Sequence, residues 1–90
     1  MKQVFGAGDL VNILPYDEVE DHFGIYRGAW EFMESNNPCE IRMMDSFNTE
    51  YQTYIYLLRG DGFDLYWPGF AFAENQDKTA VSFIEVGDLL

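Results

Sequence analysis

Tyr51 to Leu58, and the turn that follows it, constrain this chain more than any other stretch. Tyr54-Ile55-Tyr56-Leu57-Leu58 is an unbroken apolar and aromatic run, and Arg59-Gly60-Asp61-Gly62 comes directly after it. β-branched and aromatic residues favour strands. Asp-Gly tolerates the positive φ that tight hairpins need. The return strand is Phe63 to Trp67, with Phe63, Leu65 and Trp67 alternating against Asp64 and Tyr66. Side chains alternate across a strand, so Tyr54 and Tyr56 share one face and Ile55 and Leu57 the other. Both faces are apolar or aromatic, so each is covered by more protein or one of them is an interface.

Further segments add to this hairpin. Val4-Phe5, a Gly6-Ala7-Gly8-Asp9 turn and Leu10 to Ile13 read as a turn entering a strand. Tyr16, Val19 and Phe23 fall at helical spacing. With Pro15 at the first helical position, Asp17 and Glu18 at the positive dipole end and Gly24 as a stop, they predict one short acidic helix over about 15–23. Trp30 to Ser35 fits helix and strand alike, and Asn36-Asn37-Pro38 breaks it. Glu40 to Asp45 reads as a strand of mixed alternation, Ser46 to Glu50 as a polar turn. Phe70 and Phe72 alternate, Glu74 to Lys78 is a loop, and Val81 to Val86 is a last strand. The expected fold is α+β and mainly β. It is a small barrel or bent antiparallel sheet of five to six strands with the one helix, in a single domain over 1–90.

The pattern Phe5-x-x-Gly8-Asp9-x-Val11-x-Ile13, the acidic segment ending near Phe23-Gly24, the Tyr-rich strand and the Tyr66-Trp67 strand resemble the small SH3-like β-barrels encoded by bacteriophages and mobile elements. The resemblance spans residues 4–72. It implies a barrel fold and a phage-like origin, and it implies no catalytic residue.

Charge narrows the function. Sixteen acids against five bases give a formal net charge of −11. Spread over the roughly 5,400 Å² expected for this mass, that is about one net negative charge per 500 Å². Direct nucleic-acid binding needs cations to neutralise phosphates, and anionic membranes attract cations too, so both are excluded. A basic protein partner, or solubility alone, fits the balance. Asp17, Glu18, Glu20 and Asp21 lie within five positions, and Glu31 and Glu34 follow. On a helix the first four repel one another by a few tenths of a kcal/mol per pair, so stability does not explain them. DNA carries one charge per about 1.7 Å of axis, so mimicry requires these acids to cluster.

Other chemistry finds little support. Cys39 is the only cysteine and His22 the only histidine, which excludes an intramolecular disulfide and a multi-Cys zinc site. Asp61-Gly62-Phe63-Asp64 lacks the ligand spacing of a calcium loop, and Pro68 stands where its bidentate Glu would be. Gly6-Ala7-Gly8 is too short for a phosphate fingerprint. The expectation is no catalytic residue, no metal and no cofactor. With no long apolar segment and no signal-like N-terminus, the expected location is cytoplasmic, in the host if the protein is viral.

These readings point to a non-enzymatic phage-type inhibitor, of anti-CRISPR or anti-restriction kind, that binds a basic nucleic-acid-handling host protein, with DNA mimicry as one form of it. Asp17, Glu18, Glu20, Asp21, Glu31 and Glu34 supply long-range attraction. Tyr54, Tyr56, Tyr66 and Trp67 supply short-range affinity, since Tyr and Trp dominate binding hot spots. The alternative is a homo-oligomeric structural or accessory phage module, a homodimer being its simplest form.

Overall fold

A computed structural model describes residues 4–62 and 64–75. Its frame is a four-stranded antiparallel sheet in chain order, curled into a half-barrel: β1 (Leu10–Val11), β2 (Cys39–Asn48), β3 (Thr53–Leu58) and β4 (Trp67–Pro68). One α-helix, α1 (Arg27–Glu34), lies between β1 and β2 in the chain. The chain is thus mainly β with one helix. The expected strand at Val81 to Val86 lies outside the described residues, as do Phe63 and residues 76–78 of the expected loop.

β3 is the centre of the sheet. Ile55 to Leu58 are all buried, as an apolar run flanked by strands on both edges should be. β2 runs beside it, from Ile41 opposite Leu58 to Asn48 opposite Thr53. The register slips twice, between Ile41 and Met43 and between Met44 and Ser46. Arg42 and Asp45 are the extra residues. Each bulge resets the in/out phase and bends the strand, which is why this stretch shows mixed alternation in the sequence. The polar turn expected at Ser46 to Glu50 is corrected: β2 continues through Asn48, because Ser46 and Asn48 pair with Ile55 and Thr53. The reversal comes later, where Asn48 Oδ1 accepts the Tyr51 N–H at 2.9 Å and Gln52 takes a φ of 54°.

The helix expected over 15–23 does not form. Only Tyr16–Glu18 makes a single 3-10 turn, and Val19 is already extended at φ −118°, ψ 131°. Side-chain bonds to the backbone win over the helical ladder here. His22 Nε2 donates to the Tyr16 carbonyl at 2.7 Å, and Asp21 Oδ1 accepts the Phe23 N–H at 2.8 Å. The His22 ring also stacks on Tyr16 at 3.5 Å, and both meet Trp30 edge-on at 5.1 and 5.8 Å. The Trp30 to Ser35 segment, ambiguous by pattern, falls within and just past the true helix. Trp30 and Met33 point inward, and Ser35 Oγ and Asn36 Nδ2 close the C-terminus on the Phe32 carbonyl. An eight-residue helix is marginal alone and depends on this packing.

The return strand after β3 is two residues long, with Trp67 opposite Tyr56 and Pro68 opposite Ile55. The regular ladder expected from Asp64 to Tyr66 is absent. A second 3-10 turn, Gly69–Ala71, then carries the chain to Phe72, which bridges Ile13. Leu14 N–H to Ala71 and Ala73 N–H to Asn12, both 2.8 Å, tie the two ends of the sheet together. The core inside the curl holds Trp30, Trp67, Tyr56, Phe72, Ile41, Leu58 and Val11.

Gly69 marks the tightest approach. A Cβ there would sit 2.8 Å from Asn75 Nδ2 and 3.0 Å from Thr53 Oγ1, while the Gly69 N–H donates to that same hydroxyl at 3.0 Å. Both neighbours are buried. Gly69→Ala is therefore expected to destabilise by about 1–3 kcal/mol through overpacking. The check is a lower urea midpoint at unchanged slope; a wild-type midpoint would show that the site relaxes freely.

Candidate functional site

The ten residues expected to bind a partner divide into three groups. Tyr56 and Trp67 are corrected outright: they are core. Tyr56 is 1% exposed, its hydroxyl accepts the Phe5 N–H at 3.1 Å, and burial pushes its phenol pKa up. Trp67 is 0% exposed, lies 5.2 Å from Trp30, and donates its indole N–H to Asp61 Oδ2 at 3.3 Å. The curl of the sheet encloses the face that carries them. Tyr54 is half-buried at the rim, edge-on to Phe47 at 4.8 Å, and Tyr66 is exposed before β4. Among the described residues no hydrogen bond or ring contact joins Tyr54 or Tyr66 to the acidic stretch.

The acids do come partly together, through a cation. Arg27, at the start of α1, reaches Asp17 at 2.9 Å and Glu31 at 3.1 Å, and lies over the Tyr16 ring at 4.2 Å. The hydrogen bonds it donates to Asp17 and Glu31 hold the guanidinium pKa above its ordinary value. This pins the Tyr16–Glu18 turn against the helix. Asp21 is engaged elsewhere: besides the Phe23 N–H it pairs with Tyr51, and its charge, then its hydrogen bond, raise that phenol pKa. Glu18 and Glu20 are exposed, Glu34 is half-buried, and none of the three has a side-chain partner among the described residues.

The other two arginines are also matched, Arg42 to Asp64 at 2.6 Å and Arg59 to Glu40 at 3.2 Å. Every guanidinium of the sequence is thus bonded to carboxylate within the chain. What the Tyr16 to Glu34 surface presents outward is negative.

Sequence reasoning missed two aromatic residues on this side. Tyr26 is 63% exposed and Phe32 56%. Both line a shallow groove of about 290 Å³ between α1 and the turn after β3, floored by Gly28, Ala29, Gly60 and Gly62 and edged by Asp61. Phe32 also borders a second depression, about 280 Å³, that runs on past Asn36 and Pro38 to Glu40 and Arg59. A signal existed for Phe32: once 27–34 is read as helix, residue 32 falls some 200° from Trp30 and so on the solvent side. Nothing comparable marked Tyr26, which precedes the helix.

Little else offers chemistry. Cys39 is buried, its thiol donates to the Met33 carbonyl at 3.3 Å, and burial raises its pKa. Among the described residues no group of His, Cys, Asp and Glu is placed to hold a metal ion, and no helix is long and apolar enough to cross a membrane. No protein-family model, curated protein or solved structure matches this chain.

Proposed function

We propose that the chain is a non-enzymatic binding protein of phage-inhibitor type. It docks a negative, aromatic-bearing face onto a basic, nucleic-acid-handling host protein in the cytoplasm, in the manner of anti-CRISPR or anti-restriction proteins, and works without metal or cofactor. The supporting observation is the charge pattern on one side of the fold: Arg27, its only guanidinium, is already shared by Asp17 and Glu31, while Glu18, Glu20 and Glu34 have no described partner. The contact face combines these acids with Tyr26 and Phe32, in place of the buried Tyr56 and Trp67. Because Arg27 breaks the run of charge, competition for a basic groove suits the face better than a close copy of DNA. The SH3-like barrel of five to six strands belongs to the same proposal.

Glu18, Glu20 and Glu34 can be reversed together to Lys without touching a described structural bond. The expected result is an unchanged circular dichroism spectrum. Retention of nucleic-acid-binding proteins from bacterial lysate at low salt should fall about tenfold or more, since such charges govern long-range attraction. High salt or added duplex DNA should have the same effect on the wild type. An unchanged set of retained proteins in the variant removes the proposal.

One observation favours the homo-oligomeric reading instead. Met43, Met44 and Phe47 on the outer half of β2 are 43%, 37% and 38% exposed. A dimer that persists in high salt by sedimentation, with no retained partner, would support that reading.

A further inference from the structure

We infer that the groove between α1 and the turn after β3 receives an arginine side chain of the basic partner, with its guanidinium against the rings of Tyr26 and Phe32. The inference rests on the reading that the partner is basic and says where one of its cations goes. A volume of about 290 Å³ lies at the lower edge of the roughly 300–1,000 Å³ of pockets that enclose small molecules, and it has room for an arginine side chain. Among the described residues its lining besides the two rings and Asp61 is small, at Gly28, Ala29, Gly60 and Gly62. The Tyr26 ring lies over Gly28, where a Cβ would stand only 3.2 Å from Cε2, so the ring is propped by backbone before any ligand arrives. Among the described residues no ring contact joins Tyr26 to Phe32, and both line the groove.

Charge selects the occupant. Asp61 lines the groove, and in its continuation past Phe32 the charges of Arg59 and Glu40 are paired with each other. With a net charge of −11, the chain as a whole attracts cations. Aromatic faces attract cations, arginine more often than lysine. A planar, weakly hydrated guanidinium can stack on a ring while its edge bonds carboxylate, which an ammonium cannot do. Neither aromatic ring contributes its full burial to the fold, and both would be covered in the complex.

The probe is a capped hexapeptide of alternating Gly and Arg, with its Lys and citrulline counterparts, titrated into the 15N-labelled full chain. The Arg peptide is expected to shift the amides of Gly28, Ala29, Gly60 and Gly62. The Lys peptide should bind more weakly and the citrulline peptide not at all. Phe32→Ala or Tyr26→Ala should weaken the Arg peptide by about three- to fivefold with the fold intact. Glu18→Gln with Glu20→Gln should weaken it without changing which amides move. If the Arg peptide binds but shifts only the Glu18 and Glu20 region, and Phe32→Ala changes nothing, the groove assignment is wrong while the acidic face stands. If neither cationic peptide binds, the reading of a basic partner falls and takes the groove with it.

Discussion

Trp67→Ala leaves a chain that unfolds at a small fraction of the denaturant the wild type withstands, and any loss of binding follows from that unfolding. Trp67 has no exposed surface, packs on Trp30 at 5.2 Å and is half of a two-residue strand. Its indole N–H holds Asp61, three residues past the end of β3. Truncating a buried Trp costs about 3–5 kcal/mol. Domains are stable by roughly 0.05–0.15 kcal/mol per residue, about 5–13 kcal/mol for a chain this long. About a quarter of the total or more goes with one side chain. Tyr66→Ala, next door and 51% exposed, supplies the contrast: its urea midpoint should stay close to wild type, because exposed substitutions shift stability by about 0.5 kcal/mol or less. Urea titration of both variants is the check. A Trp67→Ala protein with the wild-type midpoint and selectively lost binding would return Trp67 to the contact surface.

That contrast shows where the sequence stops being informative. Alternation tells which residues share a strand face, but not whether the face is covered. Tyr54 and Tyr56 share one, yet Tyr56 lies deep in the curl while Tyr54 sits at its rim. β3 is legible because a central strand is apolar on both faces, and no neighbour alters that. β2 is blurred because bulges at Arg42 and Asp45 reset its phase, and a bulge depends on pairing with β3 that the strand's own residues do not encode. The helix expected over 15–23 fails for a different reason. Tyr16, Val19 and Phe23 do carry helical spacing, but His22 and Asp21 each bond backbone that a helix would have to use. Val19 is buried all the same, and Tyr16 packs against the core, from a nearly extended chain.

The candidate face was legible in charge and not in geometry. Four acids within five positions fix an acidic surface whether or not they form a helix. Arg27 was visible beside them, but its place between Asp17 and Glu31 depends on α1 starting at that residue. Tyr26 and Phe32 carry no sequence mark of their own. They matter because Gly60 and Gly62, some thirty positions on, come to lie beside them with no side chain to fill the space.

Asn37→Ala is expected to rank with Trp67→Ala in cost, although by sequence Asn37 is only part of a chain break. Ile13 is 2% exposed and bridges Phe72 as a pair whose flanking residues make the ladder bonds, Leu14 to Ala71 and Ala73 to Asn12. Ile13's own N–H and C=O therefore point outward from that pair, where another strand would normally meet them. The Asn37 side chain stands there instead. Its Oδ1 accepts the Ile13 N–H at 2.9 Å and its Nδ2 donates to the Ile13 carbonyl at 3.0 Å. Alanine removes both partners and leaves both backbone groups buried. At about 1–3 kcal/mol for each unsatisfied group, the loss is about 2–6 kcal/mol. It should be read as a lowered urea midpoint together with faster hydrogen exchange at the Ile13 amide. Asn37→Asp separates the two bonds. It keeps an acceptor for the N–H but sets an ionised oxygen against the Ile13 carbonyl, which raises the folded-state pKa of the new carboxyl above its unfolded value. A raised pKa gives stability that is fully present below the unfolded pKa and lost as pH rises through the folded one. Relative to wild type, Asn37→Asp should thus be weak at neutral pH and recover on acidification, whereas Asn37→Ala should show a constant deficit. Equal deficits for the two variants at every pH would mean that neither the retained oxygen nor the protonated carboxyl replaces what Asn37 does, and would overturn this account of its two bonds to Ile13.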